Sequence, residues 1–144
     1  MKAVIDLTKE YGLVLEGGGA KGAYQIGAWK AMQEAGVKIK GIAGTSVGAL
    51  NGALICMGDL EKAEHLWENI SYSKIMSVDD DLMGEIFKHK KISKEALKDM
   101  MDYISDGGLD VSPLKQLIAE SIDEEKIKNS PIDLYVLTFN VDEF

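Results

Sequence analysis

The fold is decided by one stretch of the sequence, which reads Gly41-Ile42-Ala43-Gly44-Thr45-Ser46-Val47-Gly48-Ala49-Leu50-Asn51-Gly52. At its centre lies a G-x-S-x-G motif, between an apolar segment that can end a strand and apolar residues that recur at helical spacing. In a nucleophile elbow the serine occupies a strained strand-to-helix turn, and glycines at Gly44 and Gly48 remove the Cβ atoms that would clash there. The motif therefore predicts an exposed Ser46 with a helix that begins directly after it.

A second glycine-rich segment precedes the elbow and reads Gly17-Gly18-Gly19-Ala20-Lys21-Gly22. Its first three residues carry backbone N–H groups that no side chain obstructs, which is what an oxyanion hole requires. The loop follows the apolar run 11–15, and the elbow follows the apolar run 37–43. We therefore expect both loops at the carboxyl ends of neighbouring strands. Open α/β sheets bind their ligands at this edge. Ser46 and the three glycine amides are thereby predicted to converge on one carbonyl group.

The order of the predicted elements places the chain in the α/β class. Strand, glycine loop, helix, strand, elbow and helix follow one another, which predicts a parallel sheet between helices, with right-handed crossovers. We expect the first strand, at 11–15, to be buried on both faces. Further elements are predicted beyond the elbow helix: helices at 60–70, at 93–104 and from Ser112 on, an irregular segment at 71–91, and a last strand at 132–141.

The glycine loop also satisfies G-x-G-x-x-G through Gly17, Gly19 and Gly22, so a nucleotide-binding module is an alternative. A Rossmann site needs an acidic residue about 20 positions further on to bind the ribose. The sequence has Val37-Lys38-Ile39-Lys40-Gly41 in that region, without an acid. A phosphate-binding P-loop fails on spacing, because Lys21 is followed by glycine and alanine rather than by serine or threonine.

Composition restricts the remaining function classes. The 144 residues are 46% apolar, which suits one soluble domain, and the net charge of −8 argues against nucleic-acid binding. Cys56 is the single cysteine, so no internal disulfide can form. The start of the sequence has too short an apolar run for a signal peptide, and no run approaches the length of a membrane span. We therefore expect a cytoplasmic protein, whose contact with a membrane surface would be transient.

Together the two glycine motifs resemble those of the patatin-like phospholipases, a group of lipid acyl hydrolases. The resemblance implies a three-layer α/β/α fold and a lipid or other acyl-ester substrate, with no metal or organic cofactor. It also implies that Ser46 is the nucleophile and that Gly17, Gly18 and Gly19 form the oxyanion hole. The remaining motif positions are Lys21, where the family more often has arginine, and Gly22, Gly44 and Gly48.

In that family an Asp-Gly-Gly or Asp-Gly-Ala motif supplies an aspartate that forms a dyad with the serine, without histidine. Asp106-Gly107-Gly108 matches these letters, but it follows a helical pattern, where glycine is a common helix end. We therefore interpret Asp106 as structural and expect the catalytic aspartate beyond Phe144. Residues 1–144 would then be the N-terminal portion of a single acyl hydrolase domain, C-terminally incomplete and inactive alone. Two alternatives stay open: Asp106 is the base of a complete domain, or the domain is catalytically dead and binds lipid or protein.

An incomplete domain would leave the strand at 132–141 at the edge of the sheet. Unpaired backbone N–H and C=O groups on an edge strand invite pairing with another chain. Self-association through this strand is therefore expected.

Overall fold

The computed structural model describes residues 5–77, 80 and 110–138. The chain divides into two compact units. The first unit is built from Met1–Glu68 and Ile122–Phe144, and the second from Asn69–Ser121. The glycine loop and the elbow both belong to the first unit.

The first unit contains a three-stranded parallel sheet made of β1 (Glu10–Leu15), β2 (Lys38–Thr45) and β3 (Asp133–Leu137). The strand order is β1-β2-β3, so β1 and β2 are neighbours and β3 is paired on one side by β2. Ile42 of β2 is opposite Leu13 on one side and Leu134 on the other. The predicted α/β class with a parallel sheet is confirmed, and the strand predicted at 132–141 is present as β3 at Asp133–Leu137.

Five helices are described, and their ends are set by local sequence signals. Gly58 adopts a left-handed conformation (φ 74°) after α2, and the carboxylate of Asp59 accepts a hydrogen bond of 3.0 Å from the backbone N–H of Lys62 at the start of α3. A short helix at 124–128 was not among the expected elements; Asp123 caps it by accepting from the N–H groups of Glu125 and Lys126. The helices are α1 (Gly22–Glu34), α2 (Val47–Met57), α3 (Leu60–Glu68), α4 (Ser112–Ser121) and α5 (Glu124–Lys128).

The core of the first unit is centred on α2, which contacts all three strands as well as α1, α3 and α5. Ile42 on β2 and Ile55 on α2 are almost fully buried, with 0% and 1% of their surface exposed. Trp29 of α1 and Leu15 of β1 belong to the same cluster. Cys56 also lies in this core, where burial raises the pKa of its thiol. The elbow helix is therefore held from several directions, which fixes the residue at its N-terminus.

One face of the sheet is more exposed than the sequence predicts. Val14 on β1 has 82% of its surface exposed, and Tyr135 on β3 has 63%. These two residues flank the exposed Ala43 of β2 in register, whereas Leu13 and Leu15 point to the opposite face. The prediction that β1 is buried on both faces is wrong, because the core that contains α2 lies against the Leu13 and Leu15 side of the strand.

The second unit contains α4, which begins at Ser112 as the Ser-Pro pair predicts. Asp110 lies just before this helix. Its carboxylate accepts hydrogen bonds from the backbone N–H of Ser112 at 2.9 Å and from the hydroxyl of Ser77 at 2.7 Å. The hydroxyl of Ser112, followed by the hydroxyl of Ser77 and the N–H of Ser112, lowers the pKa of Asp110 from 3.8 to about 2. The predicted helix at 93–104, Asp106 and the end of the last strand lie outside the described residues, as do most of 71–91.

Candidate active site

Ser46 occupies a strained turn between β2 and α2. Its φ of 53° and ψ of −129° make it the only non-glycine residue with positive φ in the described part of the chain. Such a conformation costs on the order of 1–3 kcal/mol and persists only where the surrounding structure holds it. Ser46 is exposed. Its carbonyl oxygen accepts a hydrogen bond of 2.9 Å from the N–H of Ala49, in the first turn of α2. The structure thus has a serine lifted onto a tight turn at the beginning of a buried helix.

The two glycines of the motif let the backbone segments around Ser46 approach closely. A Cβ atom on Gly44 would lie 2.4 Å from the carbonyl oxygen of Gly48. A Cβ atom on Gly48 would lie 2.3 Å from the carbonyl oxygen of Leu15, in β1. Both distances are far below any van der Waals contact, and the opposing atoms are backbone. Any larger residue at either position would therefore move the elbow away from the sheet.

The glycine loop lies directly against the elbow. A Cβ atom built on Gly17 would be 3.1 Å from the Cβ of Ser46 and 3.7 Å from its Oγ. Gly18 and Gly19 both have positive φ, at 153° and 54°. A 3-10 turn, Gly19–Lys21, then leads into α1, closed by a hydrogen bond of 3.1 Å from the N–H of Lys21 to the carbonyl of Gly18. The structure brings the loop and the serine together at the carboxyl ends of β1 and β2.

An open groove of about 590 Å³ starts at the glycine loop and runs between β1 and α1. Its loop end is formed by Glu16, Gly17, Lys21 and Gln25, and its other walls are apolar. The apolar lining along α1 recurs at helical spacing from Tyr24 to Met32, a span of about 12 Å at 1.5 Å per residue. The apolar part is lined by Leu13, Val14, Leu15, Tyr24, Ala28 and Met32.

Asn51 belongs to this region although neither glycine motif points to it; it lies five residues after the serine on α2 and is 1% exposed. Its side chain connects to α1, to α3 and, through Gln25, to the residue before the glycine loop. The available signal was an amide side chain inside the otherwise apolar pattern of the elbow helix. Buried polar side chains are hydrogen-bonded in native proteins, so such a residue indicates a structured network.

Two features are absent from the described residues. Within them, no cluster of three or more histidine, cysteine, aspartate or glutamate side chains could hold a metal ion. None of the helices described has the length and apolar character that crossing a membrane requires. Of the two histidines, His65 lies on α3, and His89 lies outside the described residues.

A parallel sheet whose second strand ends in a strained serine turn, with a glycine loop against it, defines the class of α/β proteins that carry a nucleophile elbow. Within that class, the chain belongs to the patatin-like phospholipase family, whose model matches residues 13–142. The resemblance drawn from the two glycine motifs is confirmed. Membership supports lipid hydrolysis at the level of the family, and it favours this class over a nucleotide-binding module.

Relatives match over a shorter segment. Lysophospholipase nte1 of Aspergillus terreus is 59% identical over 46 residues, which is 32% of this chain and 3% of that protein. Neuropathy target esterase sws of Drosophila persimilis is 62% identical over 45 residues, or 31% of this chain and 3% of that protein. The chain thus spans about 3% of the length of these curated relatives. No solved structure matches it.

Proposed function

We propose that the chain carries the nucleophile and the oxyanion donors of a carboxylic-ester hydrolase that removes fatty-acyl groups from lipids. The observation that carries this proposal is Ser46, held at φ 53° at the start of α2 with Gly17 against its side chain. A strained serine at a helix N-terminus, beside a glycine loop whose backbone amides no side chain obstructs, is suited to acyl transfer. Family membership and the names of the relatives, a lysophospholipase and an esterase, support the same reaction class.

In the proposed mechanism, the Oγ of Ser46 attacks the ester carbonyl carbon while a base accepts the hydroxyl proton. The negative charge that develops on the carbonyl oxygen is stabilised by N–H groups of the Gly17–Gly19 loop and by the N-terminus of α2. The C–O bond to the alcohol then breaks, and the alcohol leaves with a proton. Water attacks the acyl-enzyme in the second half of the reaction and releases the fatty acid.

The groove beside the loop supports a long acyl chain as the group transferred. Its walls are apolar along about 12 Å of α1, from Tyr24 to Met32, which approaches the length of a medium fatty-acyl chain. Its loop end adjoins Gly17, the residue that faces Ser46. An acyl chain in the groove would therefore place its carboxyl end near the glycine amides.

The base is an aspartate by resemblance to the family, and its position in the sequence stays a prediction. A serine hydroxyl without a positioned base is a poor nucleophile near neutral pH. Asp106 is the candidate within the chain, and we favour an aspartate that follows Phe144 in the natural protein. Ester hydrolysis by residues 1–144 alone, abolished by Asp106→Asn, would overturn that preference. The family model spans both compact units, which supports our proposal that they belong to one acyl hydrolase domain.

The decisive test is labelling of the natural chain with a fluorophosphonate, followed by peptide mapping. We expect the phosphonate on Ser46 and complete loss of labelling in Ser46→Ala, with ester turnover reduced by several orders of magnitude. Ser130→Ala is the matched control, because it makes the same chemical change in a turn where the hydroxyl accepts a bond of 3.2 Å from Ile132 N–H. Labelling elsewhere, or more than a tenth of the activity in Ser46→Ala, would refute the assignment.

A further inference from the structure

A chain of side-chain hydrogen bonds centred on the buried Asn51 connects three helices in the first unit, and its other members, Gln25 and Trp67, are half-buried. The Nδ2 of Asn51 donates to the carbonyl oxygen of Gly22 at 2.9 Å and to the Oε1 of Gln25 at 2.8 Å. The Oδ1 of Asn51 accepts from the indole Nε1–H of Trp67 at 2.9 Å. The Nε2 of Gln25 donates in turn to the carbonyl oxygen of Glu16 at 2.8 Å.

The orientation of both amides follows from the polarity of the groups at the ends of this chain. An indole N–H only donates and a backbone carbonyl only accepts. Trp67 must therefore face the oxygen of Asn51, which turns the Nδ2 of Asn51 toward Gly22 and Gln25. The Nε2 of Gln25 is left for Glu16. Every hydrogen bond in this chain then joins a donor to an acceptor, and reversing either amide would place two donors or two acceptors opposite each other.

The two backbone carbonyls in this network lie at the two ends of the glycine loop. Glu16 precedes Gly17, and Gly22 follows the 3-10 turn as the first residue of α1. Asn51 holds the second end directly and the first end through Gln25. It also lies on α2, the helix that begins directly after Ser46. The loop and the serine are therefore attached to the same helix.

We propose that Asn51, with Gln25 and Trp67, is a positioning residue that sets the glycine-loop amides relative to Ser46. The inference rests on the proposed function for its kinetic consequence. Displacements of about 1 Å in a catalytic group can reduce the rate roughly 100-fold, so a device that fixes the amides has a large effect. Trp67 and Val47 pack closely against the backbone of Gly22, because a Cβ on Gly22 would be 2.5 Å from Cζ2 of Trp67 and 2.6 Å from Cγ2 of Val47.

The first test uses Gln25→Met, which keeps the length of the side chain and removes both of its hydrogen bonds, the one to the carbonyl oxygen of Glu16 and the one from Asn51. Gln33→Met is the matched control, because it makes the same change at an exposed position on the same helix. In the natural chain we expect amide hydrogen exchange at 17–21 to be about tenfold faster in Gln25→Met, and fluorophosphonate labelling about tenfold slower. Gln33→Met should stay within twofold of the wild type in both measurements.

The second test separates positioning from simple loss of packing. Trp67→Phe removes the indole donor to Asn51, and Trp29→Phe is the control in the same core, on α1. Asn51→Leu removes all three of its bonds. Where a variant melts within a few degrees of the wild type, we expect kcat for a short p-nitrophenyl ester to fall, about 100-fold for Asn51→Leu, with KM nearly unchanged. A substrate-groove effect would instead raise KM.

The outcomes distinguish this inference from the proposed function. If wild-type Ser46 reacts with the fluorophosphonate but Gln25→Met and Trp67→Phe match their controls in exchange and in kcat, the positioning role is refuted. If wild-type Ser46 does not react at all, the proposed function fails. The rate of amide hydrogen exchange at 17–21 then still tests whether the Asn51 network holds the loop. Faster exchange in folded Asn51→Leu and Gln25→Met supports the inference. An unchanged rate in both variants overturns it.

Discussion

Replacing Gly48 by alanine is the sharpest perturbation of the elbow, because it adds one carbon atom at a point where two backbone segments meet. The new Cβ would lie 2.3 Å from the carbonyl oxygen of Leu15 and 2.7 Å from its carbonyl carbon. A contact of at least 3.0 Å needs a displacement of about 0.7 Å, the difference between 3.0 and 2.3 Å. Neither atom belongs to a flexible side chain, so α2 must move relative to β1.

The magnitude follows from the packing around α2. Overpacking of a close-packed core costs about 1–3 kcal/mol, and we expect a loss in this range in the free energy of unfolding for Gly48→Ala. The same displacement separates Ser46 from the loop that follows Leu15. We therefore expect fluorophosphonate labelling of Ser46 to slow by about 10- to 100-fold.

The control is Gly27→Ala, a substitution of the same size on α1, where a Cβ would have no neighbour within 4 Å. Alanine is a better helix former than glycine, so this variant should gain up to about 1 kcal/mol. Urea unfolding and labelling rates of both variants of the natural chain supply the comparison. If Gly48→Ala unfolds and reacts as Gly27→Ala does, the close approach of α2 and β1 does not control the elbow, and the reasoning is refuted.

Three more predictions concern other parts of the chain. Ala28→Phe should fill the groove beside β1 and lower kcat/KM for long-chain esters at least tenfold more than for butyrate esters. The control Ala31→Phe, at an exposed position on the same helix, should change kcat/KM equally for both esters. Equal effects of Ala28→Phe on both chain lengths would exclude the groove as the acyl site. The pKa of Asp110 is lowered from 3.8 to about 2 in the folded protein, so its contribution to stability is present above pH 4 and is lost as the pH falls toward 2. The unfolding free energies of the wild type and Asp110→Asn should therefore converge between pH 4 and pH 2. A difference that stays constant over this range would contradict the prediction. Tyr135→Lys should weaken self-association through β3 in sedimentation experiments, and a wild-type chain that stays monomeric at high concentration would rule out that association.

The sequence correctly predicts the helix ends that depend on neighbouring residues. Gly58 and Asp59 end one helix and begin the next through backbone conformation and a cap within three residues, and the elbow motif predicts the start of α2 at Val47. The short helix α5 was missed although Asp123 is a good cap, because five residues give too little periodicity to recognise.

The errors and omissions concern contacts between distant residues. The exposure of Val14 depends on which face of the sheet the helices cover, and a single apolar run contains no information about that. The role of Asn51 depends on Gly22 and Trp67, which lie 29 and 16 residues away in the sequence. An amide in a helix shows that a partner is needed, but it does not identify the partner.

The burial of Cys56 has a practical meaning for work on this protein. The residue is 5% exposed, its Sγ lies 3.6 Å from the carbonyl oxygen of Ile132, and burial raises the pKa of its thiol, which favours the protonated form. Thiolate is the reactive form, so maleimides and similar reagents should reach it only when the core opens. A cysteine introduced on the surface can therefore carry a spectroscopic label without prior removal of the native one. Inactivation by a thiol reagent would report unfolding of the α2 region rather than chemistry at the serine.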